Sequence, residues 1–208
     1  MSAKQKTTQA TLADHLQKNT METEELEREI LAFIDEASSH PGTIDGPGCP
    51  LKHGLACVLC TVHEGRPRST PLDFFADGMT LWIAGEPGLK VRNIRSNEQV
   101  AVGIYHPMDH SELNRSLQIN GTATLVPYNG NEEQFLERIK IMGVYAAAAK
   151  VLGEMFEAQG RQIENFEEEI IKALQRFNLI KVEPDEITYL HIHPTEGTQK
   201  NIWKKESA

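Results

Sequence analysis

Cysteine is scarce in this chain, with three residues in 208. So small and odd a number argues against a disulfide framework and suits a reducing compartment, so a cytoplasmic location is expected. No apolar run reaches the about 20 residues that span a bilayer, and no membrane association is expected. The N-terminal stretch MSAKQKTTQATLADHLQK lacks the apolar centre of a secretory signal, and residues 1–20 are expected to form a flexible arm. Positive charge is outnumbered, 21 Lys and Arg against 30 Asp and Glu. The resulting formal charge of −9 argues against nonspecific binding to nucleic acid or to an anionic surface. No internal repeat is visible. What is present is 39% hydrophobic residues, enough to supply a core at this length.

The apolar residues change period along the chain. Leu26, Ile30, Phe33, Ile34 and Ala37 recur at helical spacing, with Thr20 or Thr23 as candidate caps and Pro41-Gly42 as the stop. A Gly/Pro-rich loop follows. Residues 55–62 then read as a strand covered on both faces, and His63-Glu64-Gly65-Arg66-Pro67 turns the chain back. Residues 68–75, 79–84, 99–105 and 116–126 read as four more strands, with a turn at Ala76-Asp77-Gly78 and a helix over 89–96. Five short strands joined mostly by tight turns predict a small antiparallel barrel or sandwich. From Asn131 the pattern becomes helical, through Phe135, Ile139, Met142 and residues 145–152, with Gly143 and Gly153 as breaks. A second helical run carries Ile163, Phe166, Ile170, Ile171, Leu174 and Phe177. Two strands, 179–182 and 187–192, close the chain around Pro184-Asp185. The expected class is α+β, mainly β, as a single domain over 21–208 with a helical insertion at about 131–176.

The chemistry concentrates in residues 65–105. Pro87 and Gly88 precede the helix at 89–96, Lys90 lies in its first turn, and Arg92 and Arg95 follow. A helix N-terminus with free N–H groups and nearby cations suits a phosphate, although a solvated basic helix face has the same composition. The Arg68–Leu72 strand offers the Ser69 and Thr70 hydroxyls, and Pro71 marks it as an edge. Trp82 reads first as core. Cys57 and Cys60 have the spacing of a metal or redox pair, but on a strand positions i and i+3 face opposite sides, so buried structural thiols are expected. Cys49 lies in the Gly/Pro loop. The pairs His106/His110 and His191/His193 read as surface or cleft residues, and no metal site is expected. The Ala146–Ala149 run reads as close helix packing rather than as a ligand tunnel or dimer face.

The order of these pieces resembles the FMN-binding split barrel of the pyridoxamine 5′-phosphate oxidase-like superfamily. The matching residues are Gly65-Arg66-Pro67-Arg68-Ser69-Thr70-Pro71-Leu72, then Leu81-Trp82-Ile83-Ala84, then Lys90-Val91-Arg92-Asn93-Ile94-Arg95-Ser96-Asn97, and the strand of Gly121. The likeness covers about residues 50–126 well and the helical insertion not at all. It implies a small antiparallel split β-barrel and a homodimer with FMN sites across the interface. The implied cofactor-binding set is Arg68, Ser69, Thr70, Pro71 and Leu72 beside the ring, Ile83 and Ala84 lining it, and Gly88, Leu89, Lys90 and Arg95 at the phosphate. Ser116 and Gln118 would come from the partner subunit. An FMN-dependent oxidoreductase follows as an expectation. Haem binding, flavin storage or sensing without turnover, and deazaflavin-dependent reduction stay open as alternatives. The vitamin-forming oxidases carry Ser-Arg-Lys where this chain has Gly88-Leu89-Lys90, a substrate Lys near the place of Phe75, and an Arg-x-His element where this chain has His191-Ile192-His193. Pyridoxine-phosphate oxidation is therefore not expected.

Overall fold

In the computed structural model, residues 16–41, 51–52, 54–106, 114–193 and 197–206 are described. A short strand, β1 (Leu16–Lys18), precedes helix α1 (Thr23–Ala37), which buries Leu26, Ile30, Phe33, Ile34 and Ala37 on one face. Neither expected cap, Thr20 or Thr23, holds the cap position, and Thr23 is the first residue of the helix. Glu22 is the extended residue before it, no side chain caps it, and Glu24 and Glu25 meet the positive end of the dipole instead. Strand β1 lies within the expected N-terminal arm. Two two-residue strands, β2 (His40–Pro41) and β3 (Leu51–Lys52), pair as a separate ribbon.

Strands β4 (Cys57–His63) and β5 (Arg66–Leu72) form a hairpin across Glu64 and Gly65. Both turn residues have positive φ, 50° and 72°, the signature of the primed turn that matches strand twist. β4 is not equally covered on its two faces. Cys57, Leu59 and Thr61 are buried and the alternate residues only half-buried. The next strand also stops earlier than the sequence suggests. Residues 73–74 turn a corner, because the Phe74 side chain enters the core and Ser39 donates its N–H to the Phe74 carbonyl at 2.9 Å. Ala76 N–H donates to Ser38 Oγ at 2.9 Å, so the corner is tied to the end of α1. Strand β6 (Phe75–Asp77) then pairs with β7 (Thr80–Gly85).

Helix α2 (Leu89–Ser96) leads to β8 (Gln99–Tyr105) and β9 (Asn114–Pro127). Helices α3 (Glu132–Ile141), α4 (Val144–Ala158) and α5 (Phe166–Leu174) follow. Of the expected breaks, Gly143 separates α3 from α4 with φ 67°, whereas Gly153 lies inside α4. The closing pair of strands is one long strand, β10 (Asn178–His193), and a further strand, β11 (Gly197–Lys204), completes the chain.

The nine-stranded sheet runs β1-β11-β10-β9-β8-β4-β5, with β7 on the first half of β10 and β6 on β7. All its pairs are antiparallel except β1 with β11. β10 thus keeps β9 on one side while its other edge is divided, residues 178–182 to β7 and 186–193 to β11. The sheet does not close on itself among the described residues, and the architecture is an α+β split barrel. A bulge at Pro184–Glu186 explains why β10 can serve both halves. Ile180 and Val182 face the main core before it and Ile187 and Tyr189 after it, a change of parity that an inserted residue produces.

Two apolar clusters result. The first fills the barrel beneath α1. The second lies on the opposite face of β7 and joins Trp82, Leu179 and Val126 to Phe135, Ile139, Met142, Ile170 and Leu174 of the helical segment. β7 is therefore buried on both faces, with Leu81 and Ile83 in the first cluster and Trp82 in the second. Among the described residues no helix is long and apolar enough to cross a membrane.

Candidate functional site

The position of α2 is set from beneath. Val91 and Ile94 are buried, and the buried Asn93 donates its Nδ2 to Thr61 Oγ1 on β4 at 3.0 Å. Ser96 Oγ donates to the Asn93 carbonyl at 2.8 Å and lies 3.0 Å from His63 Nδ1. Held this way, α2 presents its first turn to the space beside the end of β5. The first amide bonded within the helix is that of Arg92, to the Gly88 carbonyl at 3.1 Å, which leaves the earlier amides for another acceptor. No side chain caps this end.

A cavity of about 630 Å³ opens there, within the range of small-molecule sites. Leu72, Asp73, Phe75, Ala84, Glu86 and Lys90 form its barrel side, while Val144, Ala147, Ala148 and Val151 of α4 and Leu174 and Phe177 near α5 form the other. Most of these groups are apolar, and Asp73, Glu86 and Lys90 are its charged borders.

The structure brings Leu72, Ala84 and Lys90 of the expected set to this one cavity. Arg68, Ser69 and Pro71 are exposed along β5, which is the last strand on its side of the sheet. Thr70 is half-buried, and its Oγ1 is enclosed with no hydrogen-bond partner, whereas Ser69 Oγ lies 3.4 Å from Cys60 Sγ. Gly88 and Leu89 are exposed at the start of α2, and Arg95 is exposed in its last turn without bordering the cavity. Ile83 departs from the expectation. Its side chain is fully buried in the barrel core, because β7 alternates and only Ala84 turns toward the cavity. Ser116 and Gln118 register with Tyr105 and Gly103 on the sheet face that the core does not use, and within one chain they do not reach the cavity.

Trp82 is core, with the Arg138 guanidinium 4.8 Å from its ring centroid. Cys57 is buried and Cys60 half-buried on the opposite face of β4, and both are free thiols. Burial pushes the Cys57 thiol up to about 12. His106 packs on Phe33, ring centroids 5.0 Å apart, and its Nε2 lies 3.3 Å from Glu36, which Arg115 also binds at 2.6 Å. That cluster belongs to α1 and does not border the cavity. Cys49, His110 and the side chain of His193 lie outside the described residues. Among the described residues no three His, Cys, Asp or Glu side chains gather as a metal site requires. The Ala146–Ala149 stretch of α4 follows the expected close packing only in part. Tyr145, Ala148, Ala149 and Leu152 do pack on the second core, but Ala147 and Val151 face the cavity.

A family profile described as pyridoxamine 5′-phosphate oxidase matches residues 51–191, well over half of the chain. The chain belongs to the pyridoxamine 5′-phosphate oxidase family. The matched span of this family includes β5, β7, the start of α2 and the whole helical segment. Among solved structures the chain is similar to a Listeria innocua protein described as a pyridoxamine 5′-phosphate oxidase, at 22% identity over 78% of this chain and 96% of that one, TM-score 0.46. It is also similar to General Stress Protein 26 of Bacillus anthracis, at 19% identity over 79% and 92%, TM-score 0.44. A third is a pyridoxamine 5′-phosphate oxidase-related, FMN-binding protein of Nostoc punctiforme, at 17% identity over 73% and 88%, TM-score 0.47. Among curated proteins no significant match is found.

Proposed function

We propose that this family member binds FMN noncovalently and acts as a flavin-dependent oxidoreductase on a small molecule. The observation that carries this reading is the half-buried Lys90, in the first turn of a helix with uncapped amides, bordering an apolar cavity of about 630 Å³. A cation and helix amides suit a phosphate, and apolar walls suit a heteroaromatic ring. The donor set present therefore fits the cofactor, with Lys90 and the amides around Gly88 and Leu89 for the phosphate and the Ser69–Leu72 backbone for the ring. Arg68 and Arg95 lie outside the cavity and would add to the positive potential around it.

FMN, when bound, supplies redox chemistry through its ring, and the protein contributes binding and electrostatics. On the protein side, Leu72, Ala84 and the α4 wall exclude water, and Lys90 neutralises charge. The assembly belonging to this proposal is a cytoplasmic homodimer, in which Ser116 and Gln118 of the partner subunit approach the ring from the open sheet face.

Titration of the purified protein with FMN tests the reading. Binding is expected, with Lys90→Ala weakening it about 10- to 100-fold, the effect of losing one charge-assisted bond. Failure to bind added FMN, or uptake of haem or a deazaflavin in its place, would overturn it.

A further inference from the structure

We propose that Arg66, Arg68, Arg92 and Arg95 form a phosphate-binding strip that leads outward from the cavity and holds the pyrophosphate of a dinucleotide, a second molecule beside the flavin. This rests on the FMN reading above. Strand register places the strip. Arg66 stands opposite His63 and Arg68 opposite Thr61 across the β4–β5 pair, and directly opposed residues share a face. α2 lies on that face, since Asn93 bonds Thr61 and Ser96 Oγ lies 3.0 Å from His63 Nδ1. Arg92, four residues before Ser96, shares its side of the helix, and Arg95 follows one turn after Arg92. Cys60 and Ser69, 3.4 Å apart, mark the other face of the hairpin, the open sheet face given above to the partner subunit. That contact leaves the strip uncovered.

Charge gives the strip its chemistry. All four arginines are exposed. Arg115, Arg138, Lys172, Lys181 and Lys204 each meet a carboxylate within 3.1 Å, but among the described residues none of these four arginines does. Glu64, in the hairpin turn beside them, lies 3.8 Å from His63 Nε2 instead. In a chain of charge −9, four guanidiniums without carboxylates raise a local positive potential that attracts an anion. Guanidinium groups grip phosphate through paired N–H donors. Spacing then selects the length of the ligand. Leu72 borders the cavity, and Thr70, Arg68 and Arg66 follow it on the same face of β5. Successive residues on one face of a strand stand about 7 Å apart, so Arg68 lies about 13 Å and Arg66 about 20 Å beyond Leu72. A small phosphorylated ring cannot reach both the cavity and the outer arginines. A dinucleotide, with a ring at each end of a pyrophosphate, does.

The test titrates NAD+ into the FMN-loaded full chain by calorimetry, after FMN uptake has been measured. Binding is expected, and it should weaken as salt rises. Arg66→Ala with Arg92→Ala should weaken NAD+ at least about tenfold, the loss of two charge-assisted contacts, while FMN affinity and melting temperature stay unchanged. Arg66→Lys with Arg92→Lys keeps the charge but not the paired donors, and should recover only part of the loss. Inorganic pyrophosphate should compete with NAD+ in the wild type. No FMN uptake would overturn the flavin reading and the strip with it. With FMN bound, no binding of NAD+, or equal affinity in the double alanine variant, would overturn the strip alone. FAD that binds more tightly than FMN, and loses that advantage in the double alanine variant, would assign the arginines to the tail of a longer flavin and overturn the second molecule. A single-stranded oligonucleotide that binds more tightly than NAD+ would overturn it as well.

Discussion

Lys90, Arg92 and Arg95 stand within six residues of one another, yet only Lys90 borders the cavity. Spacing alone does not separate them, because what orients α2 is a contact distant in sequence, Asn93 to Thr61. Asn93→Ala removes that bond and leaves the buried Thr61 hydroxyl unsatisfied. We expect a loss of about 1–3 kcal/mol in stability, read by urea denaturation, together with weaker FMN binding although Asn93 does not border the cavity. Strand alternation places Cys57 and Cys60 on opposite faces of β4, but only Cys57 is buried as expected, and Cys60 is half-buried. Labelling with a thiol reagent followed by peptide mass spectrometry should modify Cys60 in the folded protein and Cys57 only after unfolding. The raised Cys57 thiol also fixes a pH dependence. Its proton is held more tightly in the folded state, so its contribution is complete below the unfolded value of 9.0 and is lost as pH rises toward about 12. Cys57→Ala should flatten the alkaline limb of a stability–pH curve, provided the small cavity it leaves is tolerated.

At the scale of elements, most strands could be read because they alternate and are bounded by turn residues. β7, α2 and β8 fall within a residue of where the pattern places them. The errors have physical causes. Pro184-Asp185 looks like a turn between two strands, yet it is a bulge within one, since β9 stays paired on the far side throughout. β11 was not legible, because its buried residue is the polar Asn201, whose Oδ1 accepts the amides of Thr20 and Met21 at 2.7 and 3.1 Å. Opposite the bulge sits Gly121, where an added Cβ would fall 2.4 Å from the Glu183 carbonyl oxygen. Backbone cannot yield there without moving the strand pair, so Gly121→Ala should destabilise by about 1–3 kcal/mol or more, measured by thermal unfolding. Gly65→Ala, by contrast, meets open space but keeps φ 72°, and should cost only about 1 kcal/mol.

At the scale of the whole molecule, the barrel and the helical segment meet on the two faces of β7, and the candidate site lies where they adjoin. The family assignment follows from residues 51–191, but half of the cavity wall is supplied by α4 and α5, whose apolar spacing reads as ordinary packing until their contacts are known. That is why the barrel side of the cavity was legible in part, through Leu72, Ala84 and Lys90, and the opposite wall was not. Because a ligand that binds only the folded state stabilises it, FMN should raise the melting temperature in a concentration-dependent way, and less so in Lys90→Ala. The most direct measurement is the absorption spectrum of the purified protein, followed by titration with FMN into the wild type and Lys90→Ala. Flavin bands with saturable uptake, weakened about 10- to 100-fold by the substitution, are the predicted result. A colourless protein that takes up no added FMN would contradict the account.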